Sequence, residues 1–169
     1  MAAGRPEIHP DVACMTMSPW AMPYSPHRFH GPLAQPVDEE ERAGRASLRV
    51  VVVEDEAMIA WMLQSLLEDI GFCDVCIASS AEDAMDKCLS HPDLLLTDIN
   101  LGVGLDGVEL ARRLHEGAEL PVVFISGYAD DAMRQRVADA VPGAPLLRKP
   151  ISTEPLDRAI SEVLKRNHH

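Results

Sequence analysis

The stretch Leu94–Gly107 reads LLLTDINLGVGLDG. An apolar run ends on an acid, Asp98, and a G-x-G-x-x-G segment follows through Gly102, Gly104 and Gly107. Such a junction has two readings. Either the glycines cradle a dinucleotide pyrophosphate, or the acid is the chemistry and the glycines are a turn. What surrounds the stretch decides between them.

Outward from it, from Leu48 onward, short apolar runs alternate five times with amphipathic helical stretches. The predicted strands are Arg49–Glu54, Cys73–Ala78, Asp93–Thr97, Pro121–Ser126 and Pro145–Arg148. The predicted helices lie near Glu56–Asp69, Ala81–Ser90, Gly107–Glu116, Asp130–Ala140 and Thr153–Arg166. Ser80 can cap the second helix with Glu82 and Asp83 in its first turn, and Asp106 and Asp130 precede the third and fourth. RVVVVE and LLLT are nearly unbroken in apolar residues, as strands covered by helices on both faces must be. The alternation implies an α/β fold, a doubly wound (βα)5 unit with a five-stranded parallel sheet and right-handed crossovers.

The chain has 169 residues and a formal net charge of -12. That charge argues against nonspecific nucleic-acid binding, which needs basic surface to neutralise phosphates. No apolar run approaches the ~20 residues that span a bilayer, so no membrane role is expected. The first residues lack the charged start and apolar core of a secretory signal, which makes the cytoplasm the expected compartment. Seven of the thirteen prolines fall in residues 1–46, without hydrophobic period. That segment is expected to be a disordered Pro-rich extension, its His9, His27 and His30 lacking ligand spacing, and 47–169 the folded domain. Of the four cysteines (Cys14, Cys73, Cys76, Cys88), the C-x-x-C at Cys73 and Cys76 sits in strand-like FCDVCIA. Residues three apart on a strand face opposite sides, and no second motif completes a zinc set, so these cysteines read as structural.

In an open α/β sheet, ligands bind beyond the carboxyl ends of the strands. The first strand ends at Glu54-Asp55, the third at Asp98, the fourth at Ser126 and the fifth at Lys149. Each alone has an ordinary explanation as a cap, loop acid or turn. Jointly they bring three acids, a hydroxyl and an ammonium to one rim. Clustered carboxylates repel unless a cation joins them, and hard oxygen donors suit Mg²⁺. A carboxylate beside Mg²⁺ and a lysine is placed to act as a nucleophile toward phosphorus.

In order and spacing, VVVVEDE, LLLTDINL, VVFISGY and LLRKP resemble the receiver domain of two-component response regulators, over about Leu48 to Arg166. The resemblance implies the flavodoxin-like strand order 2-1-3-4-5. It implies Asp98 as the phospho-acceptor, taking a phosphoryl group from a sensor histidine kinase or phosphotransfer protein. Asp55 and Asp98 would bind Mg²⁺ directly, Glu54 through water and Asn100 through its backbone carbonyl, while Ser126 and Lys149 would bind phosphoryl oxygens. No effector segment follows, so a stand-alone receiver is expected. Its output would be protein contact or phosphorelay through the fourth predicted helix, fifth strand and fifth helix, including Asp131, Arg134, Gln135, Leu146 and Arg148.

Departures from the pattern carry information. Leu146 stands three before Lys149, where receivers with the familiar switch carry an aromatic. FISGY and DINLG resemble a subgroup marked by a Phe-Ala-Thr-Gly motif, often paired with an atypical class of sensor kinases. Gly102 stands where a proline is common. Two competing functions remain. A Mg²⁺-dependent phosphatase on a related fold wants a second acid two residues after its nucleophile, where this chain has Asn100. A dinucleotide fingerprint must follow the first strand, with an acid ~20 residues on; here the glycines follow the third.

Overall fold

The structure, a computed structural model, describes residues 39–167 apart from Val103. Eleven elements run α1 (Glu39–Ala46), β1 (Arg49–Val53), α2 (Ala57–Asp69), β2 (Asp74–Ala78), α3 (Ala81–Cys88), β3 (Leu94–Asp98), α4 (Gly107–Ala118), β4 (Val122–Ser126), α5 (Asp131–Ala140), β5 (Leu146–Arg148) and α6 (Thr153–Asn167). All five strands pair in parallel in the order β2-β1-β3-β4-β5. The flavodoxin-like order is thus the one observed.

Strand periodicity builds two cores from one sheet. Val50, Val52, Leu94, Leu96, Val123 and Ile125 face Leu63 and Leu67 of α2 and Leu156 and Ile160 of α6. The intervening Val51, Val53, Leu95, Val122 and Phe124 face Ala84 of α3, Leu110 and Ala111 of α4 and Val137 of α5. Every residue of β3 and β4 is buried, which is why LLLT and VVFI carry no alternating polar positions.

Three helix starts expected from the sequence are built as such. Ser80 Oγ accepts from Asp83 N at 3.2 Å, Asp106 Oδ1 from Val108 N and Glu109 N at 3.1 and 3.0 Å, and Asp130 Oδ1 from Met133 N at 2.8 Å. Each satisfies amide donors that the helix itself leaves unpaired.

One segment departs from expectation. The sequence places residues 39–46 in the Pro-rich extension, yet they form α1; the remainder of that expectation, with its histidines and Cys14, lies outside the described residues. The physical reason is Arg45, only 2% exposed. Its guanidinium donates to Ile70 O at 3.1 Å, Ser161 Oγ at 2.7 Å and Glu41 Oε1 at 3.2 Å, and lies 5.8 Å from the centre of the Phe72 ring. It also meets Asp157 Oδ1 at 2.5 Å, an ionic contact rather than a well-aligned hydrogen bond. Partners from two distant segments, the α2–β2 loop and α6, hold α1, which no local hydrophobic period announces.

Candidate functional site

The site sits at the carboxyl edge of the sheet, where β1, β3, β4 and β5 end. Glu54 follows β1, is 1% exposed, and its amide is fixed by the Ala78 carbonyl at 3.0 Å. Asp55, next in the chain, is exposed. Asp98 closes β3 and is 5% exposed, its strand anchored on both sides by β1 and β4. One oxygen from each of these three acids lies within 4.8 Å of the others.

Lys149 joins them. Its amide donates to the Ser126 carbonyl at 2.9 Å, continuing the β4–β5 ladder past Arg148, and the Lys149–Pro150 bond is cis. Its Nζ donates to Asp98 Oδ2 at 2.5 Å and to Glu54 Oε2 at 2.8 Å. Burial pulls the lysine down, but hydrogen bonds and charge from Asp98 and Glu54 outweigh it, so its pKa is raised. Glu54 is raised too: burial is the main cause, opposed by the Lys149 hydrogen bond and reinforced by the charge of Asp98. The lysine is therefore an ammonium at neutral pH, set between two carboxylates that would otherwise repel.

Asn100 contributes through its backbone: its amide donates to Asp98 Oδ1 at 3.1 Å, while its side chain is exposed. Ser126 is fully buried at the end of β4, and its Oγ accepts from Tyr128 N at 3.1 Å. Thus Glu54, Asp55, Asp98 and Lys149 form one cluster. Asn100 touches it through Asp98, and Ser126 joins it through its carbonyl. Three convergent carboxylates are hard oxygen donors in a pocket edge open on the Asp55 side, a donor set that fits Mg²⁺.

The glycine run settles into the turn reading. Gly102 and Gly104 have φ of +70° and +116°, a left-handed backbone region that glycine enters without strain. Gly107 opens α4, and its amide returns to the Ile99 carbonyl at 2.9 Å. A Cβ there would overlap the Asp98 carbonyl oxygen and meet Thr97 Oγ1. Its packing against β3 is not legible in the sequence, where only its place at the helix start hints at it. These glycines follow β3, not β1, so the dinucleotide geometry is absent. Cys73, Cys76 and Cys88 all carry thiols, and Glu54, Asp55 and Asp98 are the one candidate metal group among the described residues.

Comparison with known proteins is consistent with this geometry. The family described as Response regulator receiver domain matches residues 50–161, from β1 into α6. The phyllosphere-induced regulator PhyR of Methylorubrum extorquens is 31% identical over 133 residues, 76% of this chain and 48% of PhyR. The chain therefore spans about half the length of that curated relative. Among solved structures, the signal receiver domain of a modulated diguanylate cyclase from Desulfovibrio desulfuricans G20 is 33% identical. Its TM-score is 0.65, covering 72% of this chain and 96% of that one. The chemotaxis protein CheY4 of Vibrio cholerae, 23% identical with a TM-score of 0.62 over 69% of this chain and 98% of its own, shares the fold. With the family match covering most of the chain and the strand order agreeing, the chain belongs to the response regulator receiver domain family.

Proposed function

We propose that this chain accepts a phosphoryl group on Asp98 from a phosphohistidine of a sensor histidine kinase or phosphotransfer protein, in a Mg²⁺-dependent step. It then signals through protein contacts or phosphorelay. The observation that carries this reading is the Lys149 ammonium held between Glu54 and a nearly buried Asp98 at the sheet edge.

Asp98 attacks phosphorus through a carboxylate oxygen. The new P–O bond forms as the P–N bond breaks, and the electron pair returns to the donor imidazole. The backbone amide of Asn100 holds the other Asp98 oxygen, so the nucleophile enters in one orientation. Lys149 already meets Asp98 and turns its charge to a phosphoryl oxygen. Ser126 accepts from Tyr128 N, which leaves its own hydroxyl hydrogen to donate to another. Glu54, Asp55, Asp98 and the Asn100 carbonyl would hold Mg²⁺, which when bound supplies positive charge against the three phosphoryl oxygens. The chain is in this reading a signalling protein, not an enzyme with turnover, and loses its phosphoryl group at most by slow hydrolysis.

The donor protein approaches over exposed apolar side chains beside the site: Met58, Trp61 and Met62 on α2, and Tyr128 after β4. The downstream target meets the α5–β5–α6 face, where Asp131, Arg134, Gln135 and Arg148 are exposed and Leu146 is half-buried. The formal charge of -12 supports protein rather than nucleic-acid partners. Among the described residues no helix is long and apolar enough to cross a membrane. A cytoplasmic location belongs to the same reading, since its thiols stay reduced there.

Incubation with Mg²⁺ and acetyl phosphate, followed by intact mass, tests the proposal. One added phosphate in the native protein and none in Asp98→Asn is expected. Equal labelling of the two, or none in the native protein, overturns it.

A further inference from the structure

Asp106 does two things at once. Its Oδ1 caps α4 by accepting from Val108 N and Glu109 N, while its Oδ2 takes the Arg136 guanidinium at 2.6 Å. Arg136 lies thirty residues away, in the middle of α5. The two ends of this ion pair belong to the two segments that leave the site. Asp106 closes the segment that starts at Asp98 and returns through the Gly107–Ile99 bond. Arg136 stands on the helix that follows Ser126, Gly127 and Tyr128.

The anchoring of α5 makes this tie matter. Val137 is its only fully buried residue, with Met133 and Ala140 partly buried against the same core. By contrast, α2 buries Ala60, Leu63 and Leu67. An element with few buried contacts is held by what remains, and here that includes a charged link to the acceptor segment. Leu146, half-buried against the core, has neither ring nor hydroxyl to pass a rearrangement of Ser126 to the α5 face.

We propose that Arg136 is a positioning residue. Through Asp106 it fixes the segment after Asp98 to the helix after Ser126, so that phosphorylation displaces both as one body and reaches the exposed face of α5. The proposal rests on the reading that Asp98 is phosphorylated. Coupling of this kind is reciprocal: what holds α5 also holds the loop that presents Asn100 to Asp98.

Three variants separate the link from its surroundings. Asp106→Asn removes the ion pair but keeps the cap, since asparagine caps as well as aspartate. Arg136→Gln removes the charge on the other side, and Arg136→Lys retains it. Each 169-residue chain is treated with Mg²⁺ and acetyl phosphate, labelling is read by intact mass, and amide exchange is followed over residues 99–109 and 131–140. In the native protein, phosphorylation is expected to change exchange in both segments. Asp106→Asn and Arg136→Gln should label to the native stoichiometry, with native α4 protection, yet show the change over 131–140 reduced roughly threefold, the factor a partly exposed ion pair can supply. Arg136→Lys should restore most of it. Native-sized changes in both uncharged variants overturn the proposal, as does a labelled native protein in which residues 131–140 do not respond. A native protein that takes no label overturns instead the underlying reading of Asp98, and this inference with it.

Discussion

At Gly107 a single hydrogen stands where any other residue would carry a carbon, and that carbon would fall on the Asp98 carbonyl. The obstacle is backbone of β3, which cannot rotate away. Gly107→Ala is therefore expected to cost roughly 3 kcal/mol, the upper range for overpacking, and to slow labelling of Asp98. Urea unfolding monitored by circular dichroism checks the first and acetyl phosphate kinetics the second. Tyr128 offers the opposite case, a ring 78% exposed beside the buried Ser126. In the proposed phosphorylated state, bulk at that position is expected to shield the acyl phosphate from water, so the phosphorylated native protein should outlast phosphorylated Tyr128→Ala. A pulse-chase of the labelled proteins gives both lifetimes, and an equal or shorter native lifetime contradicts the expectation.

Among the elements, α1 and α4 are held by charge in different settings. Arg45 of α1 is buried, and removing it strands Asp157 and leaves the Ile70 carbonyl without its guanidinium donor. Breaking one side of such a pair costs more than the pair contributes, so Arg45→Ala should lose roughly 3 kcal/mol in the same unfolding measurement. On the surface of α4, Glu109 accepts from Arg112 at 2.9 and 2.8 Å and from Arg113 at 2.8 Å. The hydrogen bond from Arg112 leads in holding its carboxyl at about 2, below the ordinary 4.5, with Arg113 next. A depressed carboxylate contributes stability above its unfolded value, so this ladder is intact above about pH 4.5 and is lost as pH falls through about 2. Carbon NMR titration of the Glu109 carboxyl should find the low midpoint, and replacing Arg112 and Arg113 by Gln should return it toward 4.5.

Across the whole molecule, the carboxyl edge of the sheet carries the acidic cluster, and α2, which begins two residues after Asp55, carries exposed Met58, Trp61 and Met62, with Trp61 at 69% exposure. In the proposed reaction a small donor needs only the cluster, whereas a protein donor would also cover those exposed side chains. Trp61→Ala should thus slow transfer from a histidine-phosphorylated protein at least several-fold, as loss of an aromatic anchor does, and leave acetyl phosphate labelling unchanged. Comparing initial rates with the two donors checks this, and equal slowing with both would place Trp61 in the fold rather than the contact. The sequence by itself determined the five strand–helix alternations, the caps at Ser80, Asp106 and Asp130, and the acids, serine and lysine at the strand ends. Those features are local: apolar period, capping chemistry and strand termini lie within a few residues of one another. Only the tertiary structure decided that Lys149 lies between Glu54 and Asp98, that Gly107 packs on β3, that Arg136 reaches Asp106, and that residues 39–46 are a helix. Each of these depends on groups brought together from separate segments, by burial and charge that no short stretch of chain contains.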